Sequence, residues 1–210
     1  MMKLLIATHN TAKYRRYRTI LEQVQDLTLL SLRDVAISEK IAENGMTAEE
    51  NARKKAQGYA SLAGLPTLSI DEALFVEGFR PEEQPGVNVR RYLGREATDE
   101  ELLATFLEKM KLLAPHQRRA NWTYAICMAF PHGKISLTQV SIPTLFTDEP
   151  HSSLLPGYPL HSLQIDPRLG KKLCDCTPEE EHLRLSIVYE AVGDLVREAQ
   201  TFLDTTGVAS

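Results

Sequence analysis

Leu4-Leu5-Ile6-Ala7-Thr8-His9-Asn10-Thr11-Ala12-Lys13-Tyr14-Arg15-Arg16-Tyr17 is the stretch whose reading decides the fold. It starts as a short apolar run, the pattern of a buried strand, and passes through small polar residues into a sequence that can be helical. The reading is a strand, a tight loop and a helix N-terminus. At such a junction free backbone N–H groups and the positive end of the helix dipole point the same way, which makes an anion site. Thr8 and Asn10 add side-chain donors, and Lys13 adds a point charge one turn into the helix. The first twenty residues carry Lys3, Lys13, Arg15, Arg16 and Arg18 and no acid. A cationic end on an otherwise acidic chain suits a small anionic ligand better than a nucleic-acid surface. The plain alternative is a solvated first helix with surface arginines. The Gly-rich run and Gly-Lys-Ser/Thr ending of a P-loop are absent.

The 210 residues are 43% apolar and 25% charged, enough to bury a core, and their length suits one domain with two lobes. A formal net charge of −4 argues against a nucleic-acid polymer or an anionic membrane as partner. No apolar stretch approaches membrane-spanning length, and Met1-Met2-Lys3-Leu4 leads into a strand rather than a signal-peptide core, so the expected location is the cytoplasm. Cys127, Cys174 and Cys176 are odd in number and lack zinc-site spacing, which leaves reduced structural thiols.

Outward from the opening stretch, a helix is expected over about 11–22 and a strand over Leu27–Leu32. Glu43-Asn44-Gly45 is a turn signal, and Thr47-Ala48-Glu49-Glu50 is a capping box for a helix running to about Leu62, with Gly64 ending it. Leu68-Ser69-Ile70 is a strand leading into Asp71-Glu72, two acids at the end of a buried run. Thr98-Asp99-Glu100-Glu101 repeats the capping pattern, and Leu102, Leu103, Phe106, Leu107 and Met110 give its helix an apolar face. Asn121–Ala129 and Ile135–Ile142 are strands joined through Pro131-His132-Gly133. Trp122 and Tyr124, on the first of these, are expected to pack rather than stack on a ligand. Residues 143–167 hold five prolines and no clean period, hence an ordered loop with a short strand. Thr177-Pro178-Glu179-Glu180 opens a last helix whose face is Leu185, Val188, Val192, Leu195, Ala199 and Phe202. Helices and strands alternate early and a hairpin comes late, which predicts an α/β fold on a sheet of mixed direction.

Three features then belong together: the cationic strand-loop-helix, Glu43 beside a glycine turn, and Asp71-Glu72. Acids opposite a phosphate cradle are what a magnesium-dependent phosphoryl reaction needs, because the hard cation takes carboxylate oxygens and bridges to phosphate. One carboxylate can also orient or deprotonate the attacking water. The bland reading is that Glu43 is a loop acid and that Asp71-Glu72 cap the next element.

Ala7-Thr8-His9-Asn10-Thr11-Ala12-Lys13, Glu43-Asn44-Gly45-Met46-Thr47-Ala48-Glu49-Glu50-Asn51-Ala52 with Lys55, Gly64-Leu65-Pro66, Asp71 with Leu74, and Pro85-Gly86-Val87 through Arg91-Tyr92 occur in order. Together they closely resemble the inosine triphosphate pyrophosphatase family, which acts on non-canonical purine nucleoside triphosphates. The resemblance implies an elongated, two-lobed α/β fold of mixed sheet with a central cleft, spanning residues 1–210 as one domain, and a homodimer. It implies Mg²⁺-dependent cleavage between the α- and β-phosphates of a nucleoside triphosphate. By position, Thr8, Asn10 and Lys13 would hold the triphosphate, with Lys55 adding charge. Glu43 and Asp71 would bind metal, and Asp71 would also activate water.

Departures fall where the base would bind. The family's Asp-Asp-Ser-Gly-Leu is here Ile70-Asp71-Glu72-Ala73-Leu74, and Glu72 offers a carboxylate near the lost one, although adjacent strand residues face opposite ways. Its Phe-Gly-Tyr-Asp loop is Pro156-Gly157-Tyr158-Pro159, keeping Tyr158. Its Ser-His-Arg is Ser186-Ile187-Val188, with His182 where a lysine stood, while Gly170-Lys171 keeps the register of a Gly-Lys segment. A site built to hydrogen-bond a 6-oxo purine loses discrimination when its partners become aliphatic, at ~1.5–3 kcal/mol per charge-assisted bond. His182 and Arg184 are available as replacements, with an exposed-face role as the simpler expectation. Two readings follow: a nucleoside triphosphate pyrophosphohydrolase with altered base specificity, or a catalytically impaired nucleotide-binding member of the same fold.

Overall fold

The computed structural model describes residues 1–206. In chain order its strands and α-helices are β1 (Met2–Ile6), α1 (Thr11–Leu21), β2 (Leu27–Ser31), α2 (Ala48–Ala63), β3 (Thr67–Val76), α3 (Asp99–Leu112), β4 (Arg119–Ala129), β5 (Ile135–Phe146), β6 (Gln164–Asp166), β7 (Lys171–Lys172) and α4 (Pro178–Thr206). The strands form one sheet in the order β2-β1-β3-β4-β5-β6-β7. β1 runs parallel to both β2 and β3, whereas β6 is antiparallel to β5 and β7. The fold is α/β with a mixed sheet, as the alternation of patterns predicts.

The chain divides into two compact units. One holds Met1–Asp71, Tyr124–Val140 and the residues from Ile187 on; the other holds Glu72–Thr123 and Ser141–Ser186. In the first, Leu4, Leu5, Ile6 and Leu68 are fully buried, as continuous apolar runs in a parallel sheet should be. α2 turns a face of Ala48, Ala52, Ala56 and Ala60 inward, all buried, and small side chains at every fourth position let a helix axis approach closely. Its Tyr59 packs with Leu5, Ala7 and Leu32. Gly64 closes α2 at a φ of +64°, a conformation that costs other residues their Cβ clearance.

In the second unit, Leu102, Phe106 and Met110 of α3 lie buried at i, i+4 and i+8, with Leu74, Val76, Phe146 and Leu163 in the same cluster. Phe106 is its hub, with ring centroids 5.1 Å from Tyr92 and 6.1 Å from Phe79 and Phe146. The Thr98/Glu101 capping box opens this helix as its sequence predicts. Thr177 and Glu180 do the same for α4, each accepting the other's backbone N–H.

Several elements differ from the sequence reading. β3 does not stop at Ile70 but continues to Val76, so Asp71 and Glu72 sit inside a strand and not at its end. β5 runs on to Phe146 through Pro143, and the proline-rich stretch adds a short 3₁₀ turn at Pro159–Leu163 before β6. Arg184 is buried and not on the exposed face, because its guanidinium grips Glu181 through two bonds of 2.9 and 2.8 Å. By contrast, Trp122 and Tyr124 pack as expected: Trp122 lies against the α3 cluster and donates Nε1–H to Gln164 at 2.8 Å, and Tyr124 is buried. The three cysteines are free thiols, and burial pushes that of Cys127 up to about 11.

Candidate active site

The opening stretch folds as its composition dictates. Asn10 is the N-cap of α1, and its side-chain oxygen accepts the N–H groups of Ala12 at 2.9 Å and Lys13 at 3.1 Å. Thr8 Oγ1 in turn accepts the Asn10 N–H at 3.1 Å. The cradle is thus organised by its own side chains, leaving the Thr8 hydroxyl proton and the Asn10 amide hydrogens as the donors an anion would meet. Lys13, partly exposed, follows on the first turn.

Beside this loop lies an arrangement that sequence order alone does not show. The Ala7 N–H donates to the Leu68 carbonyl at 2.8 Å, so β1 ends beside the start of β3, and the parallel β3 carries Asp71 three residues further on. Both groups stand at or past the carboxyl end of β1, the side where parallel sheets present their ligands. α2 sends Lys55 to the same place. Its Nζ is 2.8 Å from Asp71 Oδ1, 3.2 Å from Glu43 Oε2 and 3.3 Å from the Ile70 carbonyl. The Lys55 and Asp71 side chains are about a tenth exposed, and that of Glu43 is 39% exposed.

Glu43 is held by the start of α2. The Gly45 N–H donates to Asn51 Oδ1 at 2.7 Å and the Met46 N–H to Glu50 Oε2 at 2.8 Å. Thr47 caps the helix as expected, yet Glu50 reaches one residue further back than a standard capping box, to the turn itself. A Cβ at Gly45 would lie 2.7 Å from Asn51 Oδ1 and from Glu50 Cβ, so glycine is required there by close approach.

Two features escaped the sequence reading. His9 Nε2 lies 3.1 Å from the Glu39 carbonyl and 3.0 Å from the Tyr59 hydroxyl, which itself donates to that carbonyl at 3.0 Å. Tyr59 also accepts the Ile41 N–H at 3.3 Å, so one phenol ties the loop between β1 and α1 to the segment that leads to Glu43. Residue spacing gave no signal for this contact, since it joins three separate segments. The second feature was legible: Thr67, Ser69 and Asp71 alternate along β3, and all are buried. Ser69 Oγ has no hydrogen-bond partner among the described residues.

The remaining candidates belong to the second unit. Continuation of β3 puts Glu72 on the face of Ile70, two residues along, and opposite Asp71. Glu72 therefore shares the face of Ile70, the position at which the family resemblance implies an acid. Tyr158 precedes the Pro159 turn; its neighbour Gly157 donates its N–H to Asp99 at 2.7 Å, and Arg90 holds the same carboxylate at 2.6 Å. Those two bonds outweigh burial and keep Asp99 below the usual carboxylate range. Lys171 is exposed and paired with Glu180 at 2.6 Å, which raises its pKa. His182 is exposed on α4, Ile187 is half-exposed and Val188 is buried.

The Ham1 family model matches residues 4–196. The chain belongs to the Ham1 family. Its Ham1 relatives include the dITP/XTP pyrophosphatase of Geobacter sulfurreducens, 34% identical over 158 residues that span 75% of this chain and 78% of the relative. The dITP/XTP pyrophosphatase of Thermus thermophilus is 33% identical, covering 86% of this chain and 84% of its own. Among solved structures, a HAM1 protein from Coxiella burnetii superposes with a TM-score of 0.79 at 22% identity, over 94% of this chain and 100% of that one. The nucleoside-triphosphatase/dITP/XTP pyrophosphatase of Mycobacterium abscessus gives 0.71 at 26% identity, over 92% and 98%.

Proposed function

We propose that this Ham1-family chain is a Mg²⁺-dependent nucleoside triphosphate pyrophosphohydrolase whose base preference departs from that of its dITP/XTP-cleaving relatives. Water is added across the anhydride between the α- and β-phosphates, giving a nucleoside monophosphate and pyrophosphate. The observation that carries the reading is the meeting of Glu43, Lys55 and Asp71 past the carboxyl end of β1, which leads into the Thr8–Lys13 loop.

The donor set suits magnesium. Two carboxylates and no histidine or thiolate offer hard oxygens, and Mg²⁺ is ordinarily held by one or two carboxylates together with phosphate and water. When bound, the ion would draw charge from the phosphate oxygens and acidify a water. Thr8, Asn10 and Lys13 hold the triphosphate through a hydroxyl, an amide and an ammonium. Asp71, fixed by Lys55, accepts the proton of the attacking water. Ile187 and Val188 have no donor for a 6-oxo purine, which supports an altered preference, with Glu72, Tyr158, Lys171 and His182 as the polar groups left to read the nucleotide. Cytoplasmic location and homodimeric assembly complete the proposal on the strength of the family resemblance; no helix among the described residues is long and apolar enough to cross a membrane.

The second reading, a nucleotide-binding member with impaired catalysis, is favoured by Ile70 in place of an acid. Pyrophosphate release from a panel of inosine, xanthosine and common nucleoside triphosphates with Mg²⁺ separates the two. Release that vanishes in Asp71→Asn is the expected result. No release, with Mg²⁺-dependent triphosphate binding by calorimetry, selects the second reading.

A further inference from the structure

Lys55 has three ammonium protons, and the structure supplies three acceptors: Asp71 Oδ1, Glu43 Oε2 and the Ile70 carbonyl, all within 3.3 Å. A lysine serving only as a phosphate ligand would keep at least one donor directed at the phosphate. This one spends all three on protein oxygens, and its side chain is only 10% exposed. Asp71, equally buried, would carry an uncompensated charge without it. Lys55 is therefore built as the counter-ion of the two acids.

The charge sum has a consequence for metal binding. Glu43, Asp71 and Lys55 together amount to one negative charge, whereas the two acids alone would amount to two. A divalent cation reaching these oxygens also meets an ammonium a few ångströms away, and that repulsion is comparable in size to the attraction of one carboxylate. A triphosphate alters the sum, since its negative oxygens offset the ammonium and supply further ligands to the metal.

We infer that Lys55 is a resident cation that holds Glu43 and Asp71 in register while keeping the free protein a poor divalent-metal site, so that metal and triphosphate bind cooperatively. The inference rests on the proposed reading of Glu43 and Asp71 as metal ligands. When the acids turn to the metal, the Lys55 donors they release become available to phosphate oxygens. One side chain then serves first as placeholder and afterwards as substrate ligand.

The test uses Mn²⁺ as a spectroscopically visible probe, titrated by electron paramagnetic resonance into the full chain, alone and with a non-cleavable α,β-methylene nucleoside triphosphate. The wild type is expected to bind Mn²⁺ weakly alone and about tenfold or more tightly with the analogue, within the usual range of coupling between two ligands. Lys55→Met is expected to bind Mn²⁺ alone about tenfold more tightly than wild type and to gain less from the analogue. Lys55→Gln, neutral but still hydrogen-bonding, carries the same expectation if the methionine variant lacks a cooperative melting transition. Equal Mn²⁺ affinity of wild type with and without the analogue overturns the inference, as does a neutral variant that binds Mn²⁺ no more tightly than wild type. If Asp71→Asn and Glu43→Gln leave Mn²⁺ binding with the analogue unchanged, the metal-ligand reading itself fails, a result distinct from either.

Discussion

The two compact units treat their charged groups differently. In the first, two acids share one buried ammonium, and the donors around them come from a strand end, a helix N-cap and the first turns of α2. In the second, several cations are each taken by a single acid, Arg118 by Asp148 in a two-bonded pair of 2.6 and 2.7 Å, Arg184 by Glu181 and Lys171 by Glu180, and one shared arrangement is the reverse, with Glu83 between Arg80 and Lys109. Pairs of the second kind close loops and helix turns and leave little unbalanced charge. In the shared arrangement of the first, Glu43, Asp71 and Lys55 together carry one negative charge. The proposed metal and phosphate ligands Thr8, Asn10, Lys13, Glu43 and Asp71 thus all belong to the first unit, while Glu72, Tyr158, Lys171 and His182 belong to the second.

The largest expected effect sharpens this contrast. Asp71→Asn should lower pyrophosphate release by about 10²–10⁴-fold, the usual worth of a positioned general base, with the melting transition retained. Comparable activity in this variant would remove Asp71 from the chemistry. Arg184→Met tests the other side: loss of the bonds to Glu181 should cost about 2 kcal/mol, or roughly 4–8 °C in melting temperature for a chain of this size. The rank order of nucleotides should not change. A changed order would break the comparison, because a second-unit arginine would then be reading the base.

Asn10→Ala removes the acceptor for the Ala12 and Lys13 N–H groups and should cost about 1 kcal/mol of stability. It should also raise KM for the triphosphate, since the amide donors go with it. Tyr59→Phe keeps the ring in its cluster but loses the hydroxyl that joins His9, Glu39 and Ile41. The expected loss is about 1 kcal/mol, and a KM rise without a change in the substrate order would assign the phenol to positioning of the phosphate loop.

The smallest effect concerns acid stability in the second unit. Bonds from Arg80 and Lys109 hold Glu83 down at about 2. A carboxylate lowered below its unfolded value stabilises the fold above that value and loses the contribution as the pH falls between the two. The melting difference between wild type and Glu83→Gln should be constant above about pH 5 and shrink as the pH falls toward about 2, where the folded wild type is itself about half protonated at Glu83. A difference at about pH 2 as large as that above about pH 5 would mean that the glutamine disturbs packing and not charge.

Much was legible in the sequence because it depends on nearest neighbours. Apolar run followed by polar loop gave β1 and α1; Thr98/Glu101 and Thr177/Glu180 marked helix starts because the cap and its partner are three residues apart. The alternation of Thr67, Ser69 and Asp71 already placed three polar side chains on one face of β3. What residue order could not supply was how far that strand runs. The extent depends on pairing with distant segments, such as Leu74 with Gly86 and Glu77 with Arg119, and it decided that Glu72 shares a face with Ile70 and not with Asp71. Tertiary structure alone also buried Arg184, joined Tyr59 to His9, and brought Lys55 between Glu43 and Asp71. Local patterns fix which backbone groups need caps and which side chains face inward. The partners of a buried charge are fixed only when separate elements pack, because only then does removal from water make a shared counter-ion necessary.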